Sequence, residues 1–299
     1  MTTMGVQPPS GPDTPGRDTL APDSLGVAAA AAARAADLSG VRIRLLGTVE
    51  ELQDVEVLVN QTWRAEVSIS MLRALRKAGN FVSGAYRDEV LVGACIGFFG
   101  IAGRTEMHSH LAVIDPRHRT AGIGAALKLH QRAWAMAQGV TQICWTYDPL
   151  ERRNAYVNLT KLAARPVEYL VNFYGDHGDG DGAPFPTDRL MLTWDLTAAA
   201  VTAAAGRRAT PPDLALLRAG DSTLLLAMDA RGAPQDVPDT GASVLLIGTP
   251  QEVALLRTHD AGLALEWRLR LRHHLGGALT AGARVTGFVR EGFYVLKRV

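Results

Sequence analysis

The sequence predicts an α/β fold, a sheet flanked by helices, with a small C-terminal α/β extension. Three observations predict it. Apolar runs of strand length alternate with helical stripes in the order β-α-α-β-β-β-α-β-α-β-β between Val41 and Leu196. One of those strands runs through a short basic loop into a helix whose first turn carries Gly122 and Gly124. An Ala-rich stretch ending at Pro211-Pro212 then separates this region from a second, shorter set of strand and helix patterns.

Residues 1 to about 23 are rich in Pro, Gly, Thr and Asp and are expected to be disordered. Ser24 to Gly40 contains the run Ala28 to Ala33, with Ser24 placed to cap a short helix and Gly40 to end it. Such a helix is marginal in water on its own, so residues 1–40 are read as a tail.

Val41 to Leu46 alternates apolar and basic residues, as a strand does. Thr48 to Arg64 places Leu52, Val55, Val59 and Trp63 on one helical stripe, and Ser70 to Ala78 turns Met71, Leu72 and Leu75 inward. Phe81–Tyr86 and Val90–Phe99 read as strands joined at Arg87-Asp88-Glu89, and Met107–Ile114 as the next strand. Gly122–Gly139 reads as a helix, Gln142–Tyr147 as a strand stopped by Asp148-Pro149, and Asn154–Leu162 as another helix. Tyr169–Tyr174 and Arg189–Leu196 read as strands flanking the Gly/Asp run Gly175–Gly182. That run lacks the spacing of an EF-hand and reads as a hairpin tip. The organisation is thus a tail (1–40), a main domain (41–197), a linker (198–212) and a small α/β region (213–299). The last has strand patterns at Ser222–Ala227, Ser243–Ile247, Arg284–Val289 and Phe293–Leu296, and helical ones at Thr249–Thr258 and Leu263–Leu275.

Composition excludes several classes. A net charge of +1 over 299 residues gives no global attraction for nucleic acid or an anionic membrane. No apolar run approaches the length of a membrane span, and no basic segment followed by an apolar core opens the chain. Cys95 and Cys144 form no C-x-x-C pair, which suits a reducing cytoplasm.

The chemistry concentrates at Arg119-Thr-Ala-Gly122-Ile-Gly124-Ala125. Glycine lets backbone approach a ligand closely. The first turn of a helix offers N–H groups without intrahelical partners, and its dipole favours an anion, above all phosphate. Arg119 adds a fixed positive charge. The run is neither a dinucleotide G-x-G-x-x-G after a first strand nor a G-x-x-x-x-G-K-S/T loop. Upstream, Glu106, His108 and His110 are two apart on a strand and share a face, which Ala112 and Ile114 are expected to continue. Three readings fit the histidines: a general base, buried hydrogen-bonded core residues, or a metal chelate. The adjacent anion loop explains their location without a metal, so none is assigned.

At R-x-x-G-x-G-A, between a strand and a helix, the chain resembles the GNAT superfamily of acyl-CoA-dependent N-acyltransferases, from about Val41 to Leu196. The resemblance implies a mixed, mostly antiparallel sheet flanked by helices. It implies CoA pyrophosphate held by Arg119, Ala121, Gly122, Ile123, Gly124 and Ala125, and a pantetheine arm along the backbone of Ala112, Val113 and Ile114. In the histone-acetylating branch a base glutamate stands as far before the first motif glycine as His108 does here. His108 is therefore the implied base, with His110 or Glu106 relaying or orienting it. The tyrosine that protonates the leaving thiolate in many members corresponds to Leu159, so that role is unassigned; Tyr147, Tyr156 and Tyr169 are the nearest phenols in sequence.

The stretch Trp145 to Ala155 and Asn158 to Leu162, with His108-Ser-His110, is similar to a bacterial subgroup of predicted acetyltransferases, some resembling succinyl-CoA:D-amino-acid N-succinyltransferases. This implies acetyl-CoA or succinyl-CoA as donor and a small-molecule amine as acceptor, with Trp145, Tyr147, Asn154 and Asn158 near it and Arg152, Arg153 and Arg189 available for carboxylates. Members often dimerise, which suggests a homodimer. A non-catalytic acyl-CoA-binding regulator and a protein N-acetyltransferase are the alternatives.

Overall fold

The structure is a computed structural model that describes residues 22–63, 67–100, 106–119, 121–177 and 185–299. The main region contains α1 (Pro22–Leu38), β1 (Arg42–Leu45), α2 (Val49–Trp63), α3 (Ile69–Lys77), β2 (Phe81–Arg87), β3 (Val90–Phe99) and β4 (Glu106–Ile114). A 3-10 turn at Pro116–His118 leads to α4 (Ile123–Ala137), β5 (Gln142–Tyr147) and α5 (Arg152–Ala155), which continues as a π-helical turn over Tyr156–Lys161. β6 (Arg165–Leu170), the short pair β7 (Asp176–His177) and β8 (Phe185–Pro186), β9 (Arg189–Asp195) and α6 (Ala199–Ala205) complete it. The C-terminal region has α7 (Leu214–Ala219), β10 (Ser222–Met228), β11 (Pro234–Asp236), β12 (Val244–Gly248), α8 (Val253–His259), α9 (Ala261–Leu271), α10 (Gly277–Thr280), β13 (Arg284–Val289) and β14 (Phe293–Lys297).

Local chemistry sets these limits. Thr48 and Glu51 form a reciprocal cap on α2: Glu51 N–H donates to Thr48 Oγ1, and the Glu51 carboxylate accepts from the Thr48 and Gly47 amides. Ser68 caps α3 by accepting from Met71 N–H. Asp88 and Glu89 both have positive φ, which makes the tight two-residue turn between β2 and β3.

The main sheet runs β1-β2-β3-β4-β5-β9-β6. All neighbours are antiparallel except β4 and β5, which are parallel. The second sheet runs β11-β10-β12-β14-β13, with only β10 and β12 parallel. The fold is therefore mixed α/β with a mostly antiparallel sheet flanked by helices, as expected. α2 and α3 cover one face, through Leu52, Val55, Val59 and Leu72 against Val82, Ala94, Ile96 and Val113. α4 covers the other.

Several expectations are corrected. The Ala-rich segment is no tail: Ala28, Ala31 and Ala32 of α1 are buried in the core that includes Leu129 and Met136 of α4. Alanine lets two helices approach closely, and that packing supplies what the isolated helix lacks. The part of the expected linker over Ala199–Ala205 is α6, with Val201, Ala204 and Ala205 buried. The strand expected at Tyr169–Tyr174 is β6, ending at Leu170, because Asn172 adopts positive φ in the following turn. α7 and β11 were not anticipated. Residues 1–21 and most of the Gly/Asp run lie outside the described residues. No helix among the described residues is long and apolar enough to cross a membrane.

Arginines join the two regions. Arg268 and Arg257 converge on Asp148 at the end of β5. Arg272 donates two bonds to Asp188, at 2.8 and 2.9 Å. Arg152 donates to Thr249 O, and Arg153 pairs with Glu252. Tyr294 OH donates to Pro149 O at 2.8 Å and lies 3.0 Å from Tyr147 OH.

Candidate active site

β4 and β5 pair only at Glu106↔Gln142, Met107↔Ile143 and His108↔Cys144. From Ser109 and Trp145 onward the strands part, while β4 still pairs with β3 up to Ile114 and β5 with β9 up to Tyr147. One edge of each strand is thus left without a ladder partner among the described residues, and such edges take an extended ligand. Asp115 N–H donates to Val92 O on the β3 side. By strand alternation the backbone polar groups of Ile114 and Ala112 turn toward the opening, and those of Val113 toward β3.

β4 carries a bulge. Ile96 faces Leu111 and Gly97 faces Ser109, so His110 is the extra residue. The bulge reverses the alternation. His108 and His110 lie on the α2/α3 face around Phe98, with ring centroids 5.1 and 5.9 Å from it. Leu111 and Val113 follow them on that face, while Ala112 and Ile114 pack on the α4 side. The expectation that Ala112 and Ile114 share the histidine face is thereby corrected; only an unbroken strand would place them there.

His108 is half-buried, and its Nδ1 lies 3.6 Å from Cys144 Sγ. With Nδ1 against the thiol, Nε2 is the nitrogen left to exchange a proton. Burial lowers the His108 pKa, His110 and Lys128 lower it further, and Glu106 opposes them. Imidazole is therefore neutral at neutral pH, as a base must be. Burial and the Glu106 carboxylate push the Cys144 thiol up to about 12, so it is no nucleophile. His110 is exposed, 6.2 Å from His108 between ring centroids. No cluster of three or more His, Cys, Asp or Glu able to hold a metal ion occurs among the described residues.

Beyond the opening, Gly122 is the N-cap of α4 with φ +81°, a left-handed conformation that favours glycine. A Cβ at Gly124 would meet Ile114 Cδ1 at 3.2 Å. No described residue accepts from the amides of Ile123, Gly124 and Ala125. Arg119 is exposed beside them, and Ala121 N–H is taken by His118 O.

The expected acceptor residues fare differently. Trp145 and Tyr147 are buried on the α4 face, opposite the histidines, and fill the core. Asn158 is buried in the π-helical turn and Asn154 is exposed on α5. Leu159 is a core residue, Tyr147 is engaged by Tyr294, and Tyr169 OH donates to Asp188 at 2.8 Å. Tyr156 lies between Lys161 and Arg290. Sequence reasoning missed Cys144 beside His108 and Lys128 behind it. The signal for Lys128 was a charged residue adjoining the apolar stripe of a helix that α1 covers from outside.

No protein-family model matches the sequence, and no curated protein matches it either. Solved structures do. The chain is similar to an N-acetyltransferase of Staphylococcus aureus Mu50 at 16% identity and TM-score 0.45, over 52% of this chain and 99% of that one. It is similar to the ribosomal-protein-S18-alanine N-acetyltransferase of Escherichia coli at 14% identity and TM-score 0.44, over 53% and 96%. A ribosomal-protein-alanine N-acetyltransferase of Brucella melitensis gives 16% identity and TM-score 0.45, over 52% and 99%.

Proposed function

We propose that this chain is an acyl-CoA-dependent N-acyltransferase of the GNAT type, which passes an acetyl or succinyl group directly from CoA to the primary amine of a small molecule such as an amino acid. The observation that carries this reading is the parting of β4 from β5 immediately ahead of a helix N-terminus turned by a left-handed glycine. A pyrophosphate suits the amides of Ile123, Gly124 and Ala125, which have no acceptor among the described residues, with Arg119 alongside. A pantetheine arm, with its two amides, suits the unpaired edges of Ala112 and Ile114. Bound acyl-CoA would supply an activated thioester.

His108 then acts at the closed end of the opening. An amine reaches neutral solution mostly protonated and must lose a proton to attack a carbonyl carbon. His108 Nε2 accepts that proton directly or through a water, Cys144 and Phe98 hold the ring, and Glu106 stabilises the imidazolium. Thiol release from acetyl-CoA and from succinyl-CoA, measured against a panel of D- and L-amino acids, tests the reading. Release that needs both a donor and an amine supports it. Tight CoA binding without release from any pair supports a non-catalytic acyl-CoA-binding regulator instead.

A further inference from the structure

Lys128 is a cation buried without an anion. Only 5% of it is exposed, and no carboxylate pairs with it among the described residues. Its Nζ donates to Ser109 Oγ at 2.8 Å and to Gln131 Oε1 at 3.1 Å, and lies 3.6 Å from the centre of the Trp145 ring. Ser109 and Trp145 are the first residues past the last β4–β5 pair. The ammonium thus lies on the α4 face of the sheet, over the point where the two strands part. Trp194 closes the far side, at 5.9 Å. The titratable groups around it are Cys95 on β3, His108 on β4 and Cys144 on β5.

A buried charge normally has an opposite charge beside it or a ligand that brings one. We infer that Lys128, acting through the Ser109 hydroxyl, stabilises and protonates the sulfur that leaves CoA during acyl transfer. The inference rests on the acyl-CoA reading of the groove. Three observations favour sulfur over an acyl-group carboxylate. Two ammonium hydrogens are already engaged and the third faces Trp145, so no donor pair awaits a carboxylate. Ser109 Oγ accepts from Nζ, and its own hydrogen has only Cys95 Sγ, at 4.0 Å, as a described alternative. The position of the usual phenol is the apolar Leu159, and the phenols of Tyr147 and Tyr169 are engaged elsewhere. Burial also brings the Lys128 pKa down to about 8, near that of an ordinary thiol.

The step balances. The ammonium first loses one proton to solvent by way of His108; the free amine then bonds to the carbonyl carbon and gives its second proton to His108. The carbon–sulfur bond breaks with its electron pair on sulfur. Ser109 gives its proton to sulfur and takes one from Lys128, which is later reprotonated from solvent or through His108. The products are the amide and the free thiol.

The test titrates the thiol of CoA bound to the protein, followed by the ultraviolet absorbance of the thiolate, with desulfo-CoA as a control for binding. In wild type the bound thiol should ionise at lower pH than free CoA, with CoA bound more tightly than desulfo-CoA above neutrality. In Lys128→Met, which keeps the bulk, the thiol should return to its free value and turnover should fall roughly 100-fold. An unshifted thiol in wild type overturns the inference even if the variant fails to fold. Binding of CoA and desulfo-CoA with equal affinity and no shift overturns it while leaving the groove assignment standing. Failure of both ligands to bind overturns the assignment and the inference together.

Discussion

Lys128 and Arg268 are both cations buried in this molecule, and they are held in opposite ways. Arg268, 0% exposed, donates to Asp148 at 2.7 Å, and Arg257 joins the same carboxylate. Burial alone would raise the Asp148 pKa, but Arg268 and Arg257 pull it below the usual range. Among the described residues, Lys128 has a hydroxyl, an amide oxygen and an indole face but no carboxylate. The first arrangement has its counter-charge within the protein and joins β5 to the C-terminal region. The second is incomplete, and it lies where two strands part. Arg132 is also buried without a carboxylate partner among the described residues, on Leu196 O and Thr202 Oγ1, so what sets Lys128 apart is its place beside the parting strands.

The comparison breaks most visibly at its paired member. Asp148→Ala leaves Arg268 and Arg257 without their shared carboxylate, and a denaturant titration should show a loss of about 3–5 kcal/mol. A loss near zero would mean that the junction is not what holds the two regions together. His108→Ala should lower turnover about 100-fold or more while CoA affinity is retained, because the ring acts on the amine and not on the phosphates. Unchanged turnover would remove His108 from the chemistry.

Lys128→Met should behave oppositely to Asp148→Ala in stability. The folded pKa of Lys128 is depressed from its ordinary value to about 8, so the folded state disfavours its charge. Stability from this group is therefore greatest at high pH and is lost as pH falls from the unfolded value through about 8. At neutral pH the charge costs up to about 3 kcal/mol, so the Met variant should melt no lower than wild type. A large loss of stability would make Lys128 a wedge needed to shape the sheet. The smallest expected effect is on pH dependence. His108 is also depressed, so its base form persists somewhat below the ordinary imidazole value, and the acid limb of kcat/KM should lie on that side. Removing the Lys128 charge should move that limb upward, and an unmoved limb would show that the two groups do not interact.

What the sequence disclosed follows the periodicity of its side chains. β5 and β3 were legible to within a residue, because strict alternation or an unbroken apolar run bounded by turn residues leaves little choice. The start of α4 at Gly122 was legible because glycines following a short basic loop mark a local change from strand to helix. The bulge at His110 was not, since one extra residue changes the face of everything after it without changing composition. Nor was the role of Ala28, Ala31 and Ala32, which only the presence of α4 turns into core. Trp145 and Tyr147 resembled pocket walls in a string of residues, but their side of β5 faces Lys128, α4 and Tyr294. The Asp148 junction pairs residues more than a hundred positions apart, which no local pattern encodes.

The central claim is that the opening between β4 and β5, with the start of α4, holds acyl-CoA. Calorimetric titration of CoA into wild type and into Gly124→Trp tests it most directly, because a large side chain there would occupy the cradle next to Ile114. Saturable binding by wild type that is lost in a folded variant is the predicted result. A wild type that does not bind CoA, or a variant that binds it equally well, would contradict the account.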